Sequence, residues 1–556
     1  MNKLSALIFQ LHSIRNQYAK HFAAEKIQLM QAICNVPEMQ KLSAAKAVKK
    51  TLQTYYNSLL FIIAYPDNKT VYKTANKAVQ QLQLYVQGNE KLYYRLYNTG
   101  ITGSSVCAAF SFEMVKWIRK SRATQIKLSS FEMPERQIQS VLCAVMPKTE
   151  SEIMQDANAA WRGWLAQSVK QKEDLLDQLI AVFDSTDIRP EVKDELWNAI
   201  GINVEINFAD HCCLPGHLVT PYFHRSIIRK NITEQQPALK PIKIKLTEKD
   251  AEDIIDCSRM ILVRHLREID PISFTAAKLV SYYQLPRGYS VALMGMVPVR
   301  LHPIDSYMGY CVFKNGLPIG YAGSWILFNS GRIGLNVFPA YRGGESQYLF
   351  QQVLELHRQV YGLKRFTADP YQLGKENSDG IHSGAFWVYY HAGFRPLLKA
   401  QQELAAAEAI KIKSIAGYRS SATVLKQLAA CRMQWVLQKN AVNFDATDLS
   451  LAWAGILAKK FNNNRLPAQI NATKKAAAIL QVKNYSEEKI NFVLKNCSLL
   501  LLANEKEVRS NRLLKRQLKK LVLLKAAGSE EEYIAAMQQS GELRKYLEDV
   551  IKNFAG

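Results

Sequence analysis

The stretch Gly331–Phe350, GRIGLNVFPAYRGGESQYLF, contains residue types that could hold an anion. It reads as a strand, a tight basic glycine turn and a helix. Backbone N–H groups at a helix start lack intrahelical acceptors, and the helix dipole favours negative charge there. Gly343 and Gly344 would let the backbone come close to a phosphate, and Arg342 offers a charge-assisted donor. An ordinary strand-to-helix turn has the same look, so the turn alone does not decide. Downstream, SGAFWVYYHAGFRPL carries Tyr389 in an aromatic-rich helix, a pattern also common in cores.

Taken in order, these segments resemble the GNAT superfamily, whose members transfer acetyl from acetyl-CoA to amines. Its typical run is a strand, V-x-P-x-Y-R-G-x-G-x-G/A, a helix, and later A-x-x-F-Y-x-x-x-G-F. This chain has Val337, Pro339, Tyr341, Arg342, Gly343, Gly344 and Ser346 for the first, and Ala385, Tyr389, Gly393 and Phe394 for the second. Ile319-Gly320-Tyr321-Ala322 is similar to a segment of the family's central strands. The resemblance covers roughly residues 242–398.

The resemblance implies roles for these residues. Val337 would hold the acyl carbonyl and pantetheine through backbone groups. Arg342, Gly343, Gly344, Glu345 and Ser346 would cradle the pyrophosphate mainly through backbone N–H groups. Tyr389 would be the catalytic general acid that protonates the departing thiolate, a contribution of ~10²–10⁴-fold. Backbone donors would meet the oxyanion. The glycine turn is one residue shorter than the family pattern. The strand GRIGLNVF carries no Asp, Glu or His to act as a base. Asp369, His382, His391 and Glu345 are the candidate bases, and Asn377 could stand in for an asparagine the family often has.

The elements that must position these residues divide into three stretches. Residues 1–240 read as mainly helical, with apolar residues at three- and four-residue spacing. EQQPALKPIKIKL marks a change of texture. Residues 241–400 alternate strands and helices, with Asn315-Gly316 as a hairpin signal inside MGYCVFKNGLPIGYAGSWILF. Residues 401–556 return to helix, including ATVLKQLAACRMQWVLQKN and the basic EVRSNRLLKRQLKKLVLLKAAG. The expected fold is therefore mixed α/β or α+β: a GNAT-like mixed β-sheet domain flanked by mainly helical regions.

The 556 residues are 48% hydrophobic and 22% charged, which excludes wholesale disorder and fits several packed domains. Lys and Arg exceed Asp and Glu by 24, and more than half of that excess lies in residues 411–556. Nine cysteines without a spaced framework point to reduced thiols and a cytoplasmic protein. No signal peptide or membrane span is expected. Asp210-His211-Cys212-Cys213, with His217 and His224, gathers metal-capable residues, but adjacent cysteines suit one tetrahedral ion poorly, and no metal is expected. Neither a G-x-S-x-G nor a P-loop motif occurs.

The expected activity is acetyl-CoA-dependent N-acyltransfer to an unidentified small-molecule or protein amine. One alternative is a non-catalytic binding or scaffold protein of the same fold. The other is a nucleic-acid-binding protein, or one with an acidic partner, acting through residues 411–556.

Overall fold

The computed structural model describes residues 3–35, 47–121, 124–155, 160–167, 174–208, 212–228 and 240–555. Asp210, His211 and the Glu234–Leu239 part of the textural change lie outside them.

Helices Lys3–Ile14, Lys20–Cys34, Ala47–Ala64 and Lys69–Gln87 pack together at the N-terminus. Asn68 caps the fourth through its side chain, which accepts from Val71 N–H at 2.9 Å. This helix ends at Gly88, and a short one follows at Glu90–Arg95. Next come strands β1 (Ser105–Ala109), β2 (Thr124–Phe131) and β3 (Ile202–Phe208), an antiparallel sheet in the order β1-β3-β2. This sheet was not expected. Its central strand, INVEINF, nevertheless buries Ile202, Val204, Ile206 and Phe208 in strict alternation, the period-2 signature of a half-buried strand.

The main sheet has ten strands. They are β4 (Ile242–Ile244), β5 (Val280–Leu285), β6 (Tyr289–Met294), β7 (Ser306–Lys314), β8 (Leu317–Leu327), β9 (Ser330–Ile333), β10 (Asn336–Val337), β11 (Arg365–Ala368), β12 (Arg395–Pro396) and β13 (Met433–Val436). Their order is β12-β13-β11-β9-β8-β7-β6-β5-β4, with β10 on β8. All pairings are antiparallel except β9 with β11, so the sheet is mixed. The β7–β8 hairpin turns at Asn315 (φ 47°) and Gly316 (φ 83°), the positive angles such a two-residue turn requires.

Two strands depart from expectation. Val280–Leu285 was not read as a strand at all. Met433–Val436 was expected inside a helix, but that helix stops at Leu428. Met433 is buried, and the segment fills the edge between β11 and β12, where ladder hydrogen bonds outweigh a local helical pattern. The β-structure thus continues past residue 400.

One apolar core joins the N-terminal helices to the main sheet: Tyr55, Leu59 and Phe61 belong to the same cluster as Tyr310, Phe350 and Phe394. A second core belongs to the C-terminal helices. There, helix Arg512–Ala527 buries Leu514, Leu518 and Leu521 and turns Arg512, Arg516 and Lys520 outward. No helix among the described residues is long and apolar enough to cross a membrane.

Candidate functional site

Strand β8 changes partner along its length. Ser324–Leu327 pair with β9, whereas Gly320 and Tyr321 pair with β10. Strand β11 follows β9 only as far as Thr367 opposite Arg332. Beyond that point the sheet parts, and a cavity of about 410 Å³ opens between Asn336–Val337 on one side and Gln372, Asn377 and Tyr389 on the other. Phe338 N–H donates to Ile319 C=O at 3.0 Å across the β8 ladder. Alternation along a strand then turns the N–H and C=O of Val337 to the open side. Gly320 permits this close pairing, since a Cβ there would stand 2.7 Å from Asn336 C=O.

A larger cavity of about 760 Å³ adjoins the first. Both are lined by Gly343, Ser346, His382, Ser383 and Val388, so they meet at the start of the helix Ser346–Tyr361. Ser346 and Gln347 occupy that helix's first turn, where N–H groups have no intrahelical acceptor. The larger cavity also receives Asn16 and Ile228 from the N-terminal stretch, and Ile412, Tyr418, Arg419 and Leu425 from beyond residue 400.

The candidate residues separate into two groups. Val337, Gly343, Ser346 and Tyr389 line the cleft. Arg342 lines it too, but its guanidinium is engaged. It forms a bidentate pair with Asp379 at 2.7 and 2.5 Å and donates through Nε to Val337 C=O at 3.2 Å. Gly343 has φ +83°, and Arg15 Nη2 stands 3.7 Å from where a side chain would start. Gly344 approaches the Tyr65 ring so closely that a Cβ would stand 2.7 Å from it. Packing alone therefore accounts for Gly344, and any substitution there would disturb the turn.

Glu345 faces away from the cleft. It is fully buried and accepts from Arg287 (2.5 Å), Tyr289 (3.2 Å) and Ile228 N–H (3.1 Å), with Lys314 Nζ at 3.7 Å. The Glu345 side chain is thus the counter-charge for Arg287 and Lys314 beneath the turn, which leaves only its backbone N–H for the cradle the resemblance implies. Burial pushes the Lys314 ammonium well below its usual pKa, and Glu345 opposes that shift. The same cluster ties in the N-terminal stretch. Tyr65 and Tyr289 hydroxyls lie 3.2 Å apart, and His224 Nδ1 is 3.2 Å from an Arg287 nitrogen.

His224 is pushed down to about 2, first by burial and then by Lys314 and Arg287. Its folded value lies below the unfolded one, so the folded chain binds fewer protons and loses stability as pH falls below about 6.5. From pH 7 to pH 5 this group alone should remove about 2 kcal/mol. His265 and His357, both lowered to about 4 by burial, act in the same direction. Urea unfolding at the two pH values should therefore show a smaller acid loss in His224→Gln than in the parent; equal losses would refute the assignment.

Tyr389 is 4% exposed, and its ring packs on Phe350 (4.7 Å) and Phe394 (5.4 Å). Among the described residues its hydroxyl finds no hydrogen-bond partner of good geometry, although it lies near the Leu335 backbone. Burial raises its pKa, so the hydroxyl keeps its proton at neutral pH. Of the candidate bases, Asp369 is held by Arg332 (3.2 Å) and Arg432 (3.1 Å), and Glu345 is enclosed as described. His382 is exposed in both cavities, with Nδ1 2.7 Å from Ser378 C=O. His391 lines the larger cavity. Asn377 caps the short helix Ser378–Ser383 by accepting from Gly380 N–H.

Of the metal-capable residues, Cys212 donates to Cys257 C=O, His217 pairs with Asp250 at 2.6 Å and His224 sits in the Glu345 cluster. Among the described residues no three potential ligands gather.

Sequence reading missed Arg15, Arg287, Lys314, Tyr65 and Arg419. Each lies far from the motif in the chain, and nothing in its local context marks it.

Comparison with protein-family models, curated proteins and solved structures finds no match to this chain.

Proposed function

We propose that this protein is an N-acyltransferase that moves acetyl from acetyl-CoA to an amine, in the manner of the GNAT superfamily its motifs resemble. The observation that carries this reading is the unpartnered Tyr389 hydroxyl in a cavity that also reaches the outward backbone of Val337 and the start of the helix Ser346–Tyr361. A thioester carrier is long and anionic at one end, and this cleft is long and offers helix N–H groups at one end.

In the proposed reaction the pyrophosphate lies at Gly343 and Ser346, and the pantetheine runs along β10. The thioester carbonyl is met by Val337. The amine nitrogen attacks the carbonyl carbon, a C–N bond forms, and the C–S bond breaks. Tyr389 gives its proton to the departing sulfur, the nitrogen loses one proton to solvent, and Tyr389 takes one back from solvent to complete the cycle. His382, which is exposed and lines both cavities, is the side chain placed to assist.

Calorimetric titration with acetyl-CoA tests the cofactor assignment. Ser346→Asp is the control, because an acidic residue in the first turn suits the helix dipole and preserves the fold while repelling a phosphate. The expected result is saturable binding by the parent and at least tenfold weaker binding by Ser346→Asp. Equal binding by both would place the ligand elsewhere. Binding without turnover across a panel of amines would favour the scaffold alternative, whose specific support is the lack of a free carboxylate on β9 and β10.

A further inference from the structure

The acidic and basic groups around the cleft cancel selectively. Arg342 is matched by Asp379, and Glu345 by Arg287 and Lys314. Among the described residues no Asp or Glu lines the larger cavity. Two arginines remain beside it. Arg15, just past the helix Lys3–Ile14, places Nη2 3.7 Å from the position a Gly343 Cβ would take. Its Nη1 donates to His12 C=O, its cation lies over the Phe61 ring at 5.4 Å, and no carboxylate among the described residues pairs with it. Its neighbour Asn16 lines the cavity.

Arg419 lines the same cavity from the opposite end of the chain, also without a carboxylate partner among the described residues. Its loop is held from within. Glu408, 1% exposed, accepts from Tyr418 (2.9 Å) and Ser420 (2.7 Å) on either side of Arg419. Trp387 Nε1 donates to the same Ser420 hydroxyl at 3.2 Å. Arg419 therefore projects from a braced loop. The unpartnered, buried Tyr389 hydroxyl in the adjoining cavity is a separate sign that the cleft accepts a ligand.

We propose that Arg15 and Arg419, one from each flanking region, hold the phosphates of the acyl carrier at the glycine turn, in the place the motif would give to Arg342. The proposal rests on the acyltransferase reading and adds that the flanks complete the carrier site. Charge-assisted contacts to phosphate are the strong ones, and a guanidinium suits them.

The test is calorimetry on the full chain with three probes: CoA, inorganic pyrophosphate and S-acetylpantetheine, which has no phosphate. Arg15→Gln and Arg419→Gln should each weaken CoA binding by about tenfold, and the double variant by more. S-Acetylpantetheine affinity should not change, and Arg15→Lys should recover part of the CoA affinity. A double variant that binds CoA within twofold of the parent would overturn the proposal, as would an equal loss for S-acetylpantetheine. Parent protein that binds pyrophosphate but not CoA, with pyrophosphate binding lost in the double variant, would sink the acyltransferase reading and leave the anion clamp standing. Binding of neither would sink both.

Discussion

Tyr389→Phe is expected to slow acyl transfer by about 10²–10³-fold while acetyl-CoA affinity stays within about twofold. The substitution removes one oxygen and leaves the ring packed between Phe350 and Phe394. That oxygen has no hydrogen-bonded partner to abandon, so the fold should lose nothing and gain slightly from no longer burying an orphaned hydroxyl. A structural role for Tyr389 predicts altered stability with unchanged turnover. A proton-donor role predicts the reverse, and steady-state rates beside urea midpoints separate them. The pH profile adds a second readout. Because burial raises the pKa, activity should not fall on the alkaline side below pH 10 through this group.

Glu345→Ala should cost about 3–5 kcal/mol of folding free energy, the usual cost of leaving a buried charge uncompensated. Here two cations, Arg287 and Lys314, would lose their shared carboxylate, and the Ile228 N–H would lose its acceptor. The damage should spread to the N-terminal helices, since Tyr65 meets the cluster through Tyr289 and its ring rests against Gly344. Urea unfolding followed by tryptophan fluorescence gives the value, and a loss under 1 kcal/mol would show that water or a partner shift replaces the carboxylate. Lys314→Met in the Glu345→Ala background should recover part of the loss, because it removes one of the stranded charges. If Glu345 instead touched the carrier's phosphates, its removal would change CoA affinity at constant stability.

These two expectations also show how far the chain could be read without coordinates. The hairpin at Asn315-Gly316 and the strand-turn-helix around Gly343 were legible because each is set by neighbours in sequence: positive φ and apolar periodicity. Strand β13 was not, since its helical-looking context yields only to pairing with β11 and β12 from far away in the chain. Asn315 shows both levels in one residue. Its turn is local, but its side chain also binds Ala64 C=O at 3.0 Å and Tyr222 N–H at 2.8 Å, contacts no spacing rule announces.

The sequence by itself determined that this chain has a mixed α/β body with mainly helical flanks, that Gly343 and Ser346 stand at a strand-to-helix turn, and that Tyr389 stands on a later helix. Periodicity and turn chemistry act over a few residues, so a few residues suffice to read them. Only the tertiary structure decided where the charges went. It paired Arg342 with Asp379, buried Glu345 with Lys314, set Arg15 beside Gly343 and left Arg419 lining the cavity. Charge partners are chosen by proximity in space and by how much water each loses on burial, and neither quantity is written in the order of residues along the chain.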